Sequence, residues 1–128
     1  MATIADVMRP DFIDVAPEDT LGEVAERMTA KNVGAVVVKD FGRLIGILTE
    51  RDMLKAMAAR VHTSDARVRQ WMTPDPITIT PDVTLDEASQ IMLDNNFRHL
   101  PVMEGSTVVG YVSLRRVVGA QQPATEPA

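Results

Sequence analysis

Pro17-Glu18-Asp19-Thr20-Leu21-Gly22-Glu23 returns 64 positions later as Pro81-Asp82-Val83-Thr84-Leu85-Asp86-Glu87, and this pair of stretches decides the fold. Each carries Thr-x-x-Glu, a capping box in which the threonine hydroxyl and the glutamate satisfy orphan amides at a helix start. Behind it, Leu21, Val24, Ala25 and Met28 fall at helical spacing on one face, repeated by Leu85, Ala88 and Met92. Outward from these stretches, Val7 to Leu54 lies over Trp71 to Val118 without a gap. Of those 48 paired positions 13 are identical, among them Met8/Met72, Pro10/Pro74, Gly46/Gly110 and Arg51/Arg115. A unit used twice in a small chain is expected to pack as a pseudo-twofold pair with two related clefts. The clefts differ wherever the copies differ, so function is sought in the differences.

Each copy opens with a short apolar run (Phe12 to Val15; Ile77 to Ile79), continues into the capped helix, and ends that helix near Asn32 or Asn96. Two β-branched runs follow in each copy, Ala35–Val38 and Leu44–Leu48, then Leu100–Met103 and Val108–Val112. Asp40-Phe41-Gly42 and Glu104-Gly105-Ser106 read as the tight turns between them. A second helix starts at Thr49, and its counterpart at Ser113. The expectation is an α/β fold of two β-α-β-β-α repeats in one compact module. The first repeat spans 1–61, a linker 62–70, and the second repeat 71–120. A Pro/Ala/Gln/Glu-rich tail at 121–128 is expected to be disordered.

Composition excludes several classes. A net charge of −5 argues against a general nucleic-acid or membrane-surface binder. The absence of cysteine removes disulfides, thiolate catalysis and cysteine metal sites. No apolar run approaches the roughly 20 residues that span a bilayer, and the N-terminus lacks a signal-peptide pattern, so a cytoplasmic protein is expected. His62 and His99 stand at no metal-ligand spacing, and no nucleophile elbow, Walker loop or Gly-x-Gly-x-x-Gly occurs. Neither a catalytic residue nor a metal site is expected.

Three segments remain as candidates for chemistry. Gly46-Ile47-Leu48-Thr49-Glu50-Arg51-Asp52 sits at a strand exit and helix start, where unpaired amides and the helix dipole attract phosphate. The threonine hydroxyl can donate to a phosphate oxygen and the carboxylate can accept from ribose hydroxyls. On spacing alone Thr49 and Asp52 read first as a helix cap with no ligand involved. The second copy has Ser113 with Arg115 and Arg116, placing an arginine where the first has Asp52. That arginine cannot accept a hydrogen bond and opposes the helix dipole, which points to an anion or a carboxylate as its partner. Arg98-His99 replaces the uncharged Gly34-Ala35 at a strand entrance, as a phosphate contact or as a solvated strand end.

The doubled Met-x-Pro opening, the Pro-x-x-Thr-Leu helix start, Leu100-Pro101-Val102 and Gly-h-h-Thr/Ser-x-x-Asp resemble a tandem pair of cystathionine-β-synthase (CBS) domains, a Bateman module. The resemblance covers about Ile4 to Val118. It implies a regulatory protein that binds an adenosine ligand (AMP, ADP or ATP, or S-adenosylmethionine or NADH) in a cleft between repeats. It further implies a homodimer and an unidentified regulated protein partner. By the same resemblance Asp52 would hold the ribose, Thr49, Arg98, His99 and Arg115 the phosphate, and Pro76 and Ile77 the adenine. The cleft at Ser113 and Arg116 departs from the pattern and is expected to be empty or anion-filled. The competing reading is a ligand-free oligomerisation module.

Overall fold

The computed structural model describes residues 2–121. In chain order its elements are α1 (Ile4–Val7), β1 (Asp14–Val15), α2 (Leu21–Lys31), β2 (Ala35–Asp40), β3 (Arg43–Thr49), α3 (Glu50–Ala58), α4 (Val68–Trp71), β4 (Thr73–Pro74), α5 (Leu85–Asn95), β5 (His99–Glu104), β6 (Thr107–Ser113) and α6 (Leu114–Gln121). They form two compact units. One is Phe12–Pro76, and the other joins the described residues up to Asp11 to those from Ile77 onward.

In the Phe12–Pro76 unit a four-stranded sheet runs in the order β1-β2-β3-β4. β1 is parallel to β2, with Asp14 opposite Val37, and the other pairings are antiparallel. The β2 run Ala35–Val38 is wholly buried, as a strand covered on both faces must be. Thr20 and Glu23 close the expected capping box on α2, whose apolar stripe buries Leu21, Val24 and Met28. Burying each such side chain contributes about 1.5–3 kcal/mol. The helix stops where Asn32 turns left-handed (φ 54°) and donates its amide back to Met28 and Thr29.

The second unit repeats this plan with shorter pairings. β5 and β6 form the hairpin, Ile79 bridges Val102 in parallel, and Arg9 bridges Tyr111 in antiparallel fashion. Its core gathers Ile4, Val7, Leu85, Met92, Leu100, Val102, Val112 and Val117. Asn96 (φ 56°) ends α5 as Asn32 ends α2. Both hairpins shift register at the same place, between Val38 and Lys39 and between Val102 and Met103.

The leading segment of each sequence copy is exchanged. Thr73-Pro74 of the second copy lies against Ile47 and Gly46 of the first. Arg9 of the first lies against Tyr111 of the second, with mutual amide–carbonyl bonds of 2.8 and 3.1 Å. α1 and α4 follow suit: Ile4 and Ala5 donate to Val83 and Pro81, and Val68 and Arg69 to Asp19 and Pro17. Compact units and sequence copies are therefore different sets of residues. The expected linker at 62–70 is tied down as well, since Leu21 and Gly22 donate to Ala66 and Thr63 and Val68 is fully buried. Of the expected tail, Gln121 ends α6 and donates to Asp86 and Ser89; 122–128 lie outside the described residues.

The exchange explains two glycines. A Cβ on Gly46 would lie 2.9 Å from the Thr73 carbonyl oxygen, and one on Gly110 2.8 Å from that of Arg9. Only a residue without a side chain admits the exchanged strand that closely.

Candidate ligand-binding site

Thr49 ends β3 in extended conformation and Glu50 begins α3, so the strand delivers the chain to a helix start. Glu50 donates its amide to the Gly34 carbonyl at 3.0 Å, which locks the start of β2 beside this junction. Thr49 Oγ1 accepts the Asp52 amide at 3.3 Å. Asp52 Oδ2 accepts the Thr49 amide at 2.9 Å and its hydroxyl at 3.1 Å. Both halves of the helix cap are thus formed. The cap does not exhaust the carboxylate. Asp52 is only 5% exposed, and its Oδ1 receives a long contact of 3.4 Å from Thr73 Oγ1 on β4. An ionised carboxyl has about four acceptor positions, so Oδ1 retains capacity for a ligand hydroxyl.

Thr73 escapes sequence reasoning because 21 positions separate it from Asp52, and only the exchanged strand joins them. Beyond it the chain turns sharply at Asp75, which is left-handed (φ 47°) and donates to the Ile45 carbonyl at 3.2 Å. Pro76 follows, half-buried, as the last residue of its unit; Ile77 opens the other unit and is 38% exposed.

The remaining candidates belong to the second unit and come together there. β5 and β6 place His99 opposite Ser113, and the Arg98 carbonyl accepts the Leu114 amide at 2.7 Å. Arg98, Arg115 and Arg116 are exposed around this helix start, with His99 and Ser113 half-buried. Ser113 keeps its capping role, accepting the Arg116 amide at 3.2 Å. Among the described residues the Arg116 side chain is paired with no carboxylate. Its Nε donates to the Val7 carbonyl at 2.7 Å, at the C-terminal end of α1, where cations and donors are favoured. Where the first copy turns a carboxylate toward the exchanged segment, the second turns a guanidinium toward it.

Two further residues stand out beside this cluster. Tyr111 is buried, with the Arg9 guanidinium 5.9 Å from its ring centre and the His99 ring 6.1 Å away at a tilt. Burial pushes the tyrosine phenol above its ordinary value, and Arg9 pulls it part of the way back. Arg9 is lowered by burial but raised more by Asp11, 3.4 Å away, and by Tyr111, so it stays a cation. Among the described residues no group of three His, Cys, Asp or Glu could hold a metal ion, and no helix is long and apolar enough to cross a membrane.

Comparison with known proteins gives a consistent result. The family model described as CBS domain matches residues 4–59 and again 68–122. An uncharacterised 17.7 kDa protein of Acidianus ambivalens is 40% identical over 108 residues, which are 83% of this chain; the chain spans 65% of that relative's length. The crystal structure of a CBS-domain containing protein from Agrobacterium tumefaciens superposes with a TM-score of 0.87 at 33% identity, covering 94% of this chain and 100% of that one. A structure described as CBSX2 in complex with AMP has a TM-score of 0.76 at 25% identity, covering 94% and 96%.

Proposed function

Because this chain belongs to the CBS-domain family, carrying the domain twice, we propose that it is a regulatory protein that binds an adenosine nucleotide and performs no catalysis of its own. The observation that carries the reading is Asp52. A buried carboxylate at the first turn of a helix, with one oxygen committed to the cap and the other only weakly engaged by Thr73, suits a pair of ribose hydroxyls. Thr49 stands at the positive end of the α3 dipole, which suits a phosphate. Arg98, His99 and Arg115 add positive charge for phosphate, and Pro76 and Ile77 apolar contact for adenine. The AMP bound by the similar protein CBSX2 supports the ligand class.

The protein would work as a cytoplasmic homodimer that reports nucleotide level to a partner protein. Leu54 and Met57 on α3 are 65% and 72% exposed, which supports a helix-mediated pairing. Occupancy shifts such an assembly only by the ligand's preference for one arrangement over another.

Calorimetric titration with AMP, ADP, ATP, S-adenosylmethionine and NADH tests the reading, and no binding at millimolar ligand overturns it. A second reading, an oligomerisation module without ligand, draws support from the capping box, which is complete by itself. Under that reading Asp52→Ala alters stability alone, whereas under the first it abolishes nucleotide binding and leaves oligomerisation intact.

A further inference from the structure

Phe41 breaks two rules at once. It occupies the tip of the β2–β3 hairpin with its backbone left-handed (φ 52°), a conformation that a bulky residue adopts only under strain. It is also 97% exposed, although a phenyl ring gains by burial. The sister hairpin has Gly105 at the equivalent position (φ 59°), which is the ordinary residue for such a turn. Neither the turn nor the core of the Phe12–Pro76 unit is served by the ring. A residue that opposes both local conformation and burial marks a contact made outside the fold.

At the far end of the same unit lies a groove of about 250 Å³ lined by Phe12, Ile13, Asp14, Arg27, Ala30 and Lys31. A cavity of about 150 Å³ already accommodates a benzene ring, so a phenylalanine side chain fits. The floor is apolar, and the rim is cationic. Asp14 is paired with Lys39 at 3.5 Å, which leaves Arg27 and Lys31 to set the sign of the rim. Asp40, next to Phe41, makes a 3.8 Å contact with Arg69, so a hairpin tip seated in the groove brings a carboxylate to those cations. Parallel pairing of β1 with β2 sets Phe12 level with Ala35. Six residues of strand, roughly 20 Å at 3.3 Å per residue, then separate Phe41 from the groove. The ring cannot reach its own groove.

We infer that Phe41 is an anchor for self-association, seating in the Phe12–Ala30 groove of a second copy of this chain with Asp40 facing Arg27 and Lys31. Because tip and groove belong to one unit, two copies arranged antiparallel make the contact twice and close it, whereas a one-way contact propagates. This contact is separate from the pairing of helices through Leu54 and Met57.

The chain lacks cysteine, so engineered thiols report without background. Arg43→Cys protein, with the tip otherwise intact, is mixed with Ala30→Cys protein and treated with a short bismaleimide. A covalent heterodimer forming at least tenfold faster than with an Asp94→Cys control in place of Arg43→Cys is expected. Equal rates overturn the inference. Phe41→Gly, which installs the sister copy's turn residue, is expected to abolish the excess cross-linking in the Arg43→Cys background and to lower the concentration-dependent mass in sedimentation, with an unchanged or higher Tm. Cross-linking and mass that persist with Phe41→Gly also overturn it.

Discussion

Thr73 Oγ1 lies 3.4 Å from Asp52 Oδ1, so the hydroxyl of one sequence copy faces the buried carboxylate of the other. The contact is long for a hydroxyl donor and contributes little to stability, which leaves Oδ1 open to a stronger partner. Thr73→Val should shift the unfolding free energy by less than about 1 kcal/mol. Asp52→Ala removes the acceptor of the Thr49 amide and hydroxyl, leaving only the residue-52 amide bonded to Thr49 Oγ1, and should cost about 1–3 kcal/mol. Chemical denaturation compares the two; equal costs would show that Thr73, not the cap, dominates the stability of this junction.

Gly46 and Gly110 should tolerate no methyl group. Gly46→Ala drives a Cβ against the Thr73 carbonyl and the Met72 sulfur, and Gly110→Ala drives one against the Arg9 carbonyl. Overpacking of this kind costs about 1–3 kcal/mol. Adding Met72→Ala to Gly46→Ala should restore only part of the loss, because the flexible thioether yields and the backbone carbonyl does not. Full recovery of the urea midpoint would count against the carbonyl as the limiting contact.

Arg116→Ala removes the donor to the Val7 carbonyl and should weaken the docking of α1 by about 1 kcal/mol. Amide exchange is the sharper readout: the Met8 amide, bonded to Ile4, should exchange faster, while the β2–β3 hairpin amides of the other unit should not change. Unaltered Met8 protection would show that Arg116 plays no part in holding α1.

Tyr111 predicts the alkaline behaviour. Its phenol is raised from an ordinary 10.0 chiefly by burial, so the unfolded chain loses that proton first as pH rises. Between the unfolded and folded values the native state binds more protons, and stability falls with increasing pH. The contribution is complete below about pH 10 and is lost as the pH passes through the folded value. Tyr111→Phe should flatten this part of the curve in guanidinium titrations at a series of alkaline pH values. An unchanged slope would place the alkaline sensitivity elsewhere.

Much of this architecture is legible in the sequence because its signals are local. Thr20 with Glu23 and Thr84 with Glu87 name two helix starts, Asn32 and Asn96 the stops, and the apolar runs the strands between them. The exchange of leading segments is not legible, since Thr73 pairing with Ile47 and Arg9 with Tyr111 are long-range choices that no window of spacing records. The partner of Arg116 was missed for the same reason. The substitution at the Asp52 position is visible, but its target is a backbone carbonyl 109 positions away. His99 and Arg98 were legible as a basic strand entrance, and the hairpin register then adds Ser113 beside them.

The exchanged leading segments impose an order on biosynthesis. Phe12–Pro76 has every strand of its sheet once Pro74 has emerged, so it can assemble while the rest of the chain is still being made. The α1 segment through Arg9 has no such opportunity. Arg9 needs the backbone of Tyr111, and Ile4 needs Val83, so a segment translated before β1 finds its place only after β6 is made. A contact spanning about a hundred positions closes late, and until then Ile4 and Val7 are apolar side chains without a core. A ribosome paused between Pro76 and Tyr111 therefore presents one finished unit and, ahead of it, a loose segment carrying Ile4 and Val7. It is at that stage that a chaperone, or a mutation slowing β6, would have its greatest effect on yield.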